Sequence, residues 1–135
     1  MPFPSRSEYE RFVYGLPDSS PDVTSSSLRL YSTSALTAIV EGEITLRNGL
    51  LIQILEVLDF KAGRIRNYSY AVYHNGLKIR WYDPQPHPEN QALASTFPHH
   101  FHEEPDIKHN RLPATGISFE QPNLPTLIVD CMQLK

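Results

Sequence analysis

The chain is 135 residues long, 40% hydrophobic, with a formal net charge of −3. That length suits one domain with a core of its own, and the slight excess of acid counts against a general nucleic-acid binder, whose surface is usually basic. The lone Cys131 excludes an intramolecular disulfide and fits a reducing compartment, and no apolar run approaches the roughly 20 residues that span a bilayer.

Met1-Pro2-Phe3-Pro4-Ser5-Arg6 has no apolar stretch of the kind that drives secretion, so a cytoplasmic location without membrane contact is expected. Residues 5–15 read as a short helix. Ser5 and Glu8 have capping-box spacing, and Tyr9, Phe12, Val13 and Leu16 form one apolar stripe. Gly15 and Pro17 should stop it, with a polar connector over 18–22. From residue 23 the period changes to two, weakly over 24–33 and then clearly. Arg47-Asn48-Gly49-Leu50 and His74-Asn75-Gly76-Leu77 are two Asn-Gly hairpin signals, since a type I′ turn needs positive φ at both central residues.

Counting back from these turns fixes an expected register. In the first hairpin Glu41 should oppose Glu56, a like-charge pair that either holds a metal or is relieved by a basic neighbour or a bulge, for which Gly42 is the candidate. In the second, Val72 should oppose Ile79 and Tyr70 should oppose Trp81. Tyr68, Tyr70, Val72, His74, Leu77, Ile79 and Trp81 would then face the core. Ser69, Ala71, Tyr73, Lys78, Arg80 and Tyr82 would form an opposite face that is aromatic and basic.

After Asp83 a proline- and histidine-rich stretch runs to Pro122. Its large apolar residues, Phe97, Phe101, Ile107 and Leu112 among them, predict an ordered loop draped over the sheet. A last helix is expected near 124–134, capped by Asn123, with Pro125 in its first turn and Leu124, Leu127, Ile128, Cys131 and Leu134 as its stripe. The elements add up to an α+β fold, an antiparallel β-meander of about five strands with a short N-terminal helix, a long ordered loop and a C-terminal helix. One domain is expected over 1–135, divided into 1–22, the sheet 23–83, the loop 84–122 and the helix 123–135.

Four of the six histidines fall between His87 and His102. Pro98-His99-His100-Phe101-His102 sets three imidazoles in one short run, and imidazole exchanges protons near neutral pH. In an extended segment His100 and His102 share a face and His99 points away. Three readings compete for this loop: acid–base chemistry on a phosphodiester; a transition-metal site completed by His87, Glu103 or Asp106; and histidines that simply bond backbone carbonyls. No H-E-x-x-H, cysteine pair, glycine-rich phosphate loop or Gly-x-Ser-x-Gly elbow is present. Lys78 and Arg80 could contact phosphate and Tyr73 and Tyr82 could stack on bases, with Arg64 and Arg66 on the neighbouring strand. The plainer reading of that face is a solvated outer surface.

Tyr68-Ser69-Tyr70, Trp81-Tyr82-Asp83, Pro86-His87-Pro88 and Thr96-Phe97-Pro98-His99-His100-Phe101-His102 together resemble the TumE family, toxin components of bacterial toxin–antitoxin pairs. Trp81-Tyr82-Asp83-Pro84-Gln85-Pro86-His87-Pro88 and Asp106-Ile107-Lys108-His109-Asn110-Arg111 look like its cyanobacterial branch. The resemblance runs from about residue 28 to the last helix. It implies an RNA-cleaving toxin neutralised by a cognate antitoxin. The family usually carries Lys or Arg between the second and third histidines of the loop, where this chain has Phe101; a cation there would help hold phosphate.

The expected function is therefore a metal-independent endoribonuclease without cofactor, because RNA supplies its own 2′-hydroxyl nucleophile. His100 and His102 would be the acid–base pair, with His99 and His87 in reserve. Arg80 would stabilise phosphate and Tyr82 would position the base. Lys78, Tyr73, Arg64 and Arg66 would bind RNA. Expected partners are RNA and the antitoxin, and a homodimer is left open. The alternative is a non-catalytic module that binds RNA or protein through the same surface.

Overall fold

The computed structural model describes residues 2–134. Helix α1 (Arg6–Tyr14) begins in the expected capping box: Ser5 Oγ accepts from the Glu8 N–H at 3.2 Å, and the Ser5 N–H donates to Glu8 Oε1 at 2.9 Å. Gly15 ends it, but Pro17 does not open a connector. It lies in the first turn of a short helix α2 (Leu16–Ser19), where its missing N–H costs nothing. Tyr9, Val13 and Leu16 are buried on the core side.

Among the described residues eight strands form one antiparallel sheet: β1 (Val23–Ser26), β2 (Arg29–Ser32), β3 (Thr37–Leu46), β4 (Leu51–Asp59), β5 (Arg64–His74), β6 (Leu77–Asp83), β7 (His100–Glu103) and β8 (Arg111–Pro113). The order is β1-β3-β4-β5-β6-β7-β8, with β2 also paired to β3. The expected count of about five is too low because β1, β2, β7 and β8 are only three or four residues long. Such short strands leave too few alternations to stand out.

Strands β1 and β2 share one edge of β3, and the chain crosses from one to the other beside Gly42. Gly42 has φ +141°, and a Cβ there would stand 2.6 Å from the Ser27 carbonyl oxygen. Gly42→Ala should therefore cost about 1–3 kcal/mol, through backbone clash and a conformation that L residues avoid. Chemical denaturation of the purified variant measures this, and unchanged stability would show that the crossing adapts.

Both hairpin registers differ from expectation by one residue. In the first turn Gly49, at φ +90°, lies in a three-residue loop closed by Leu46 N–H to Leu50 O at 2.8 Å. That extra residue sets Val40 against Glu56 and Glu41 against Leu55. The two glutamates therefore lie on opposite faces and hold no metal between them. The relief comes from the turn; the β3–β4 ladder runs through Gly42 without a bulge.

The second turn takes the expected form, His74 against Leu77 with positive φ at Asn75 and Gly76. A bulge then slips β6, so that Val72 faces Arg80, Ala71 faces Trp81 and Tyr70 faces Tyr82. Tyr82, not Trp81, fills the core beside Tyr70, and the predicted face carrying Lys78, Arg80 and Tyr82 together does not form. Leu77, expected inward, is 70% exposed.

The stretch 84–122 is not one loop. It holds a 3-10 helix (Gln91–Thr96) and the strands β7 and β8, which extend the sheet past β6. The physical reason is the free edge of β6, whose backbone donors and acceptors need partners. Residues 99–104 are free of proline and can supply them, while Pro113 sits in the edge strand, where a missing N–H is tolerated.

Helix α3 (Leu124–Met132) closes the core with Leu124, Leu127, Ile128 and Cys131. Asn123 stands at its N-cap but makes no side-chain cap. It instead donates to Tyr70 Oη at 3.1 Å and to Ser118 O, and accepts from the Ser118 N–H, tying the loop to the sheet. Helices α1, α2 and α3 and one face of the sheet contribute to a single core cluster. Among the described residues no helix is long and apolar enough to cross a membrane.

Candidate functional site

Asp83 ends β6 and lies opposite His100, the first residue of β7; Trp81 lies opposite His102. Directly opposed residues share a face. These four therefore stand together on the face away from the main core, and Arg80, Tyr82, Phe101 and Glu103 stand on the other. The slip in β6 is what brings Trp81 and Asp83 to this side.

His102 Nε2 is 2.9 Å from Asp83 Oδ2, His100 Nε2 is 3.3 Å from Asp83 Oδ1, and the two Nε2 atoms are 3.2 Å apart. The imidazoles are almost wholly enclosed, at 1% and 3% exposure for His100 and His102. His100 Nδ1 lies 3.1 Å from the Pro98 carbonyl, which can only accept, so that nitrogen carries the hydrogen. Asp83 Oδ1 also accepts the Gln85 N–H at 2.8 Å. Trp81 stacks on His102 at 4.7 Å between ring centroids and donates its indole N–H to Ser69 Oγ. His102 Nδ1 has no hydrogen-bond partner among the described residues.

Burial lowers the proton affinity of His102, opposed by the Asp83 carboxylate beside it. Arg111, opposite His102 in the β7–β8 ladder, adds to the lowering. A neutral imidazole held by a carboxylate has a fixed orientation and a free lone pair, the arrangement of an oriented base. The same three residues bring three metal-ligating atoms together.

Of the other predicted catalytic residues, His87 stands edge-on to His100 at 5.0 Å between centroids and joins the cluster's rim. His99 does not join it; its Nδ1 is 2.6 Å from Tyr68 Oη on the core side, and burial lowers its proton affinity. Arg80 and Tyr82 point away from the imidazoles because of the strand slip. Arg80 is paired with Glu103, donates to Tyr82 Oη at 3.2 Å and lies 4.1 Å over the ring of Phe101. Phe101 is thus the aromatic seat of a guanidinium. Burial raises the Tyr82 phenol well above its ordinary value. The carboxylates expected to complete a metal set are also elsewhere, Glu103 on Arg80 and Asp106 on His109 at 3.2 Å.

The predicted RNA-binding residues divide into two places. Arg64 lies over Phe119 at 4.9 Å, and Arg66 pairs with Asp59 at 2.7 Å while remaining 64% exposed. Lys78 lies on the outer face, 5.3 Å from the Trp81 ring and 6.0 Å from that of Tyr73. A groove of about 440 Å³ links Arg66, Phe119, Trp81 and Asp83 along the end of the sheet. The sequence pattern places Trp81 in the core and carries Asp83 and Arg111 only within strings that resemble the family, so none of the three is expected at this site. The string Trp81-Tyr82-Asp83 is one signal, but it takes the pairing of β6 with β7 and of β7 with β8 to set them beside the histidines.

A family model described as Toxin TumE matches residues 14–134. No curated protein and no solved structure matches. The family match takes in the whole sheet, the histidine–aspartate cluster and α3, and the chain belongs to the TumE toxin family.

Proposed function

We propose that this protein is the toxin of a toxin–antitoxin pair and that it acts by cutting RNA at the Asp83–His100–His102 cluster, under the control of a cognate antitoxin. Family membership supports the toxin role. One observation carries the reaction: two buried imidazoles meet one buried carboxylate within 3.3 Å, and that carboxylate, Asp83, also lines the groove that holds Arg66. RNA brings its own nucleophile, so the protein need only take a proton from the 2′-hydroxyl and return one to the leaving oxygen. Asp83 orients His102 for the first step, and His100 is the partner acid. Arg66 and Lys78 attract the phosphate backbone. His87 of the 84–98 segment stands against His100, so in this reading the strand displaces that segment to reach the imidazoles.

Induction in a bacterium without the neighbouring genes should arrest growth, and purified protein should cleave RNA; intact growth and intact RNA would sink the reading. Arg66→Ala and Lys78→Ala should each weaken RNA binding across sequences. Each should also flatten the dependence of log K on log salt by about 0.7, one phosphate contact on a single strand. Fluorescence anisotropy over a salt series measures it, and unchanged slopes in both variants would take these cations out of the RNA path.

The enclosure of both imidazoles, 1% and 3% exposed, favours one other reading. In it the cluster only ties β6 to β7, and the protein arrests growth by binding alone. That reading expects arrest without cleavage.

A further inference from the structure

We infer that Asp83, His100 and His102 form a binding site for a divalent transition-metal ion of the zinc class. The inference goes beyond the ribonuclease reading and stands on donor geometry alone.

The hydrogens available do not suit the distances. Each neutral imidazole has one N–H, and that of His100 is on Nδ1, at the Pro98 carbonyl. If His102 carries its hydrogen on Nε2, that hydrogen serves Asp83 Oδ2, and the approach of His100 Nε2 to Asp83 Oδ1 at 3.3 Å sets lone pair against lone pair. His102 Nδ1 is then left bare and buried. If the hydrogen is on Nδ1, it has no acceptor, and three lone pairs converge. A second proton on His100 satisfies Asp83 Oδ1 but turns two N–H groups toward each other across 3.2 Å. With Asp83 as the carboxylate anion, every arrangement leaves one close approach repulsive, and buried polar atoms are seldom left so. A cation at the centre turns all three approaches into ligation.

The separations fit such a cation. Zinc bonds of about 2.0–2.1 Å to nitrogen and oxygen make a tetrahedron with edges of about 3.3–3.4 Å. The nearest donor separations are 2.9 Å from His102 Nε2 to Asp83 Oδ2, 3.2 Å between the two Nε2 atoms and 3.3 Å from His100 Nε2 to the other carboxylate oxygen, Oδ1, and one ligand atom from each residue lies within 4.8 Å of the other two. Two imidazoles and a carboxylate suit zinc, cobalt or nickel, and are poor partners for magnesium or calcium, which take oxygen. The outer contacts are those that hold ligands in place, His100 Nδ1–H on a backbone carbonyl and the Gln85 N–H on Asp83 Oδ1. Three protein donors leave a fourth tetrahedral position for water or a phosphate oxygen.

A lone pair that holds metal cannot take a proton, so metal and direct acid–base use of these nitrogens exclude each other. Equilibrium dialysis of the full chain with zinc, and the visible spectrum of the protein titrated with cobalt, test the site. The expected result is one equivalent bound with a tetrahedral cobalt spectrum. It should be lost in His100→Ala and His102→Ala, kept in His109→Ala, and absent with magnesium. If a histidine variant fails to fold by circular dichroism, Asp83→Asn and the wild-type stoichiometry carry the test. No bound equivalent on wild type, or binding that survives in the folded cluster variants, overturns the inference. Parallel RNA cleavage separates the two readings. Binding with cleavage inhibited leaves both standing; binding with cleavage that requires the ion keeps the site and sinks direct acid–base chemistry; cleavage without binding sinks the site alone.

Discussion

His102→Ala is expected to lower the rate of RNA cleavage by about 10²–10⁴-fold, the range for losing a positioned acid or base. The change deletes the imidazole nearest the carboxylate, at 2.9 Å. Asp83 retains the Gln85 N–H and its contact with His100, and Trp81 retains its bond to Ser69. The site therefore keeps its polar frame while losing its proton carrier. Asp83→Asn keeps the shape of the carboxylate but not its charge, so it should fall between His102→Ala and wild type. His109→Ala, in an exposed pair with Asp106, should cut at the wild-type rate. Single-turnover cleavage of an end-labelled RNA, read beside a thermal melt of each variant, gives the comparison. A folded His102→Ala that cleaves like wild type would remove the imidazoles from the chemistry.

What sequence could disclose here was set by the range of each interaction. The capping box of α1, the second Asn-Gly turn and the α3 stripe from Leu124 to Cys131 rest on contacts within a few residues and stand where the pattern puts them; the first Asn-Gly pair also turns the chain, but with positive φ at Gly49 alone and one residue more in the loop. The registers failed where one extra residue, at Gly49 and in the β6 bulge, changed which face every later side chain took. No local pattern marks a bulge of that kind. The shared face of His100 and His102 was legible because β7 is extended, and alternation alone decides it. Asp83 was not, because its meeting with His100 depends on β7 returning across 16 intervening residues to the edge of β6. The same slip that hid Asp83 took Arg80 and Tyr82 away from the histidines.

Glu56 illustrates the cost of that hidden register and supports the second large prediction. Its carboxylate is fully buried on the core face, where it accepts from Tyr9 Oη and Tyr70 Oη, both at 2.6 Å. Both tyrosines are themselves fully buried. Glu56→Ala would leave a cavity and two hydroxyl hydrogens without acceptors. Tyr70 Oη would still accept from Asn123, but its own hydrogen would be stranded. The expected loss is about 3–5 kcal/mol by urea denaturation, from orphaned donors and unfilled volume together.

Glu56→Gln keeps the volume and one acceptor and should cost far less; it also isolates the charge. Burial raises the proton affinity of Glu56 above the ordinary glutamate value of 4.5, against the pull of the two phenols. The native state then binds a proton that the unfolded state releases, so this group's stabilisation is complete below the ordinary value and is lost as pH rises through the raised one. Urea midpoints measured from pH 4 to 8 should fall with pH in the wild type more steeply than in Glu56→Gln. If the two profiles run parallel, the carboxylate keeps one proton affinity in both states, and the phenols offset its burial completely.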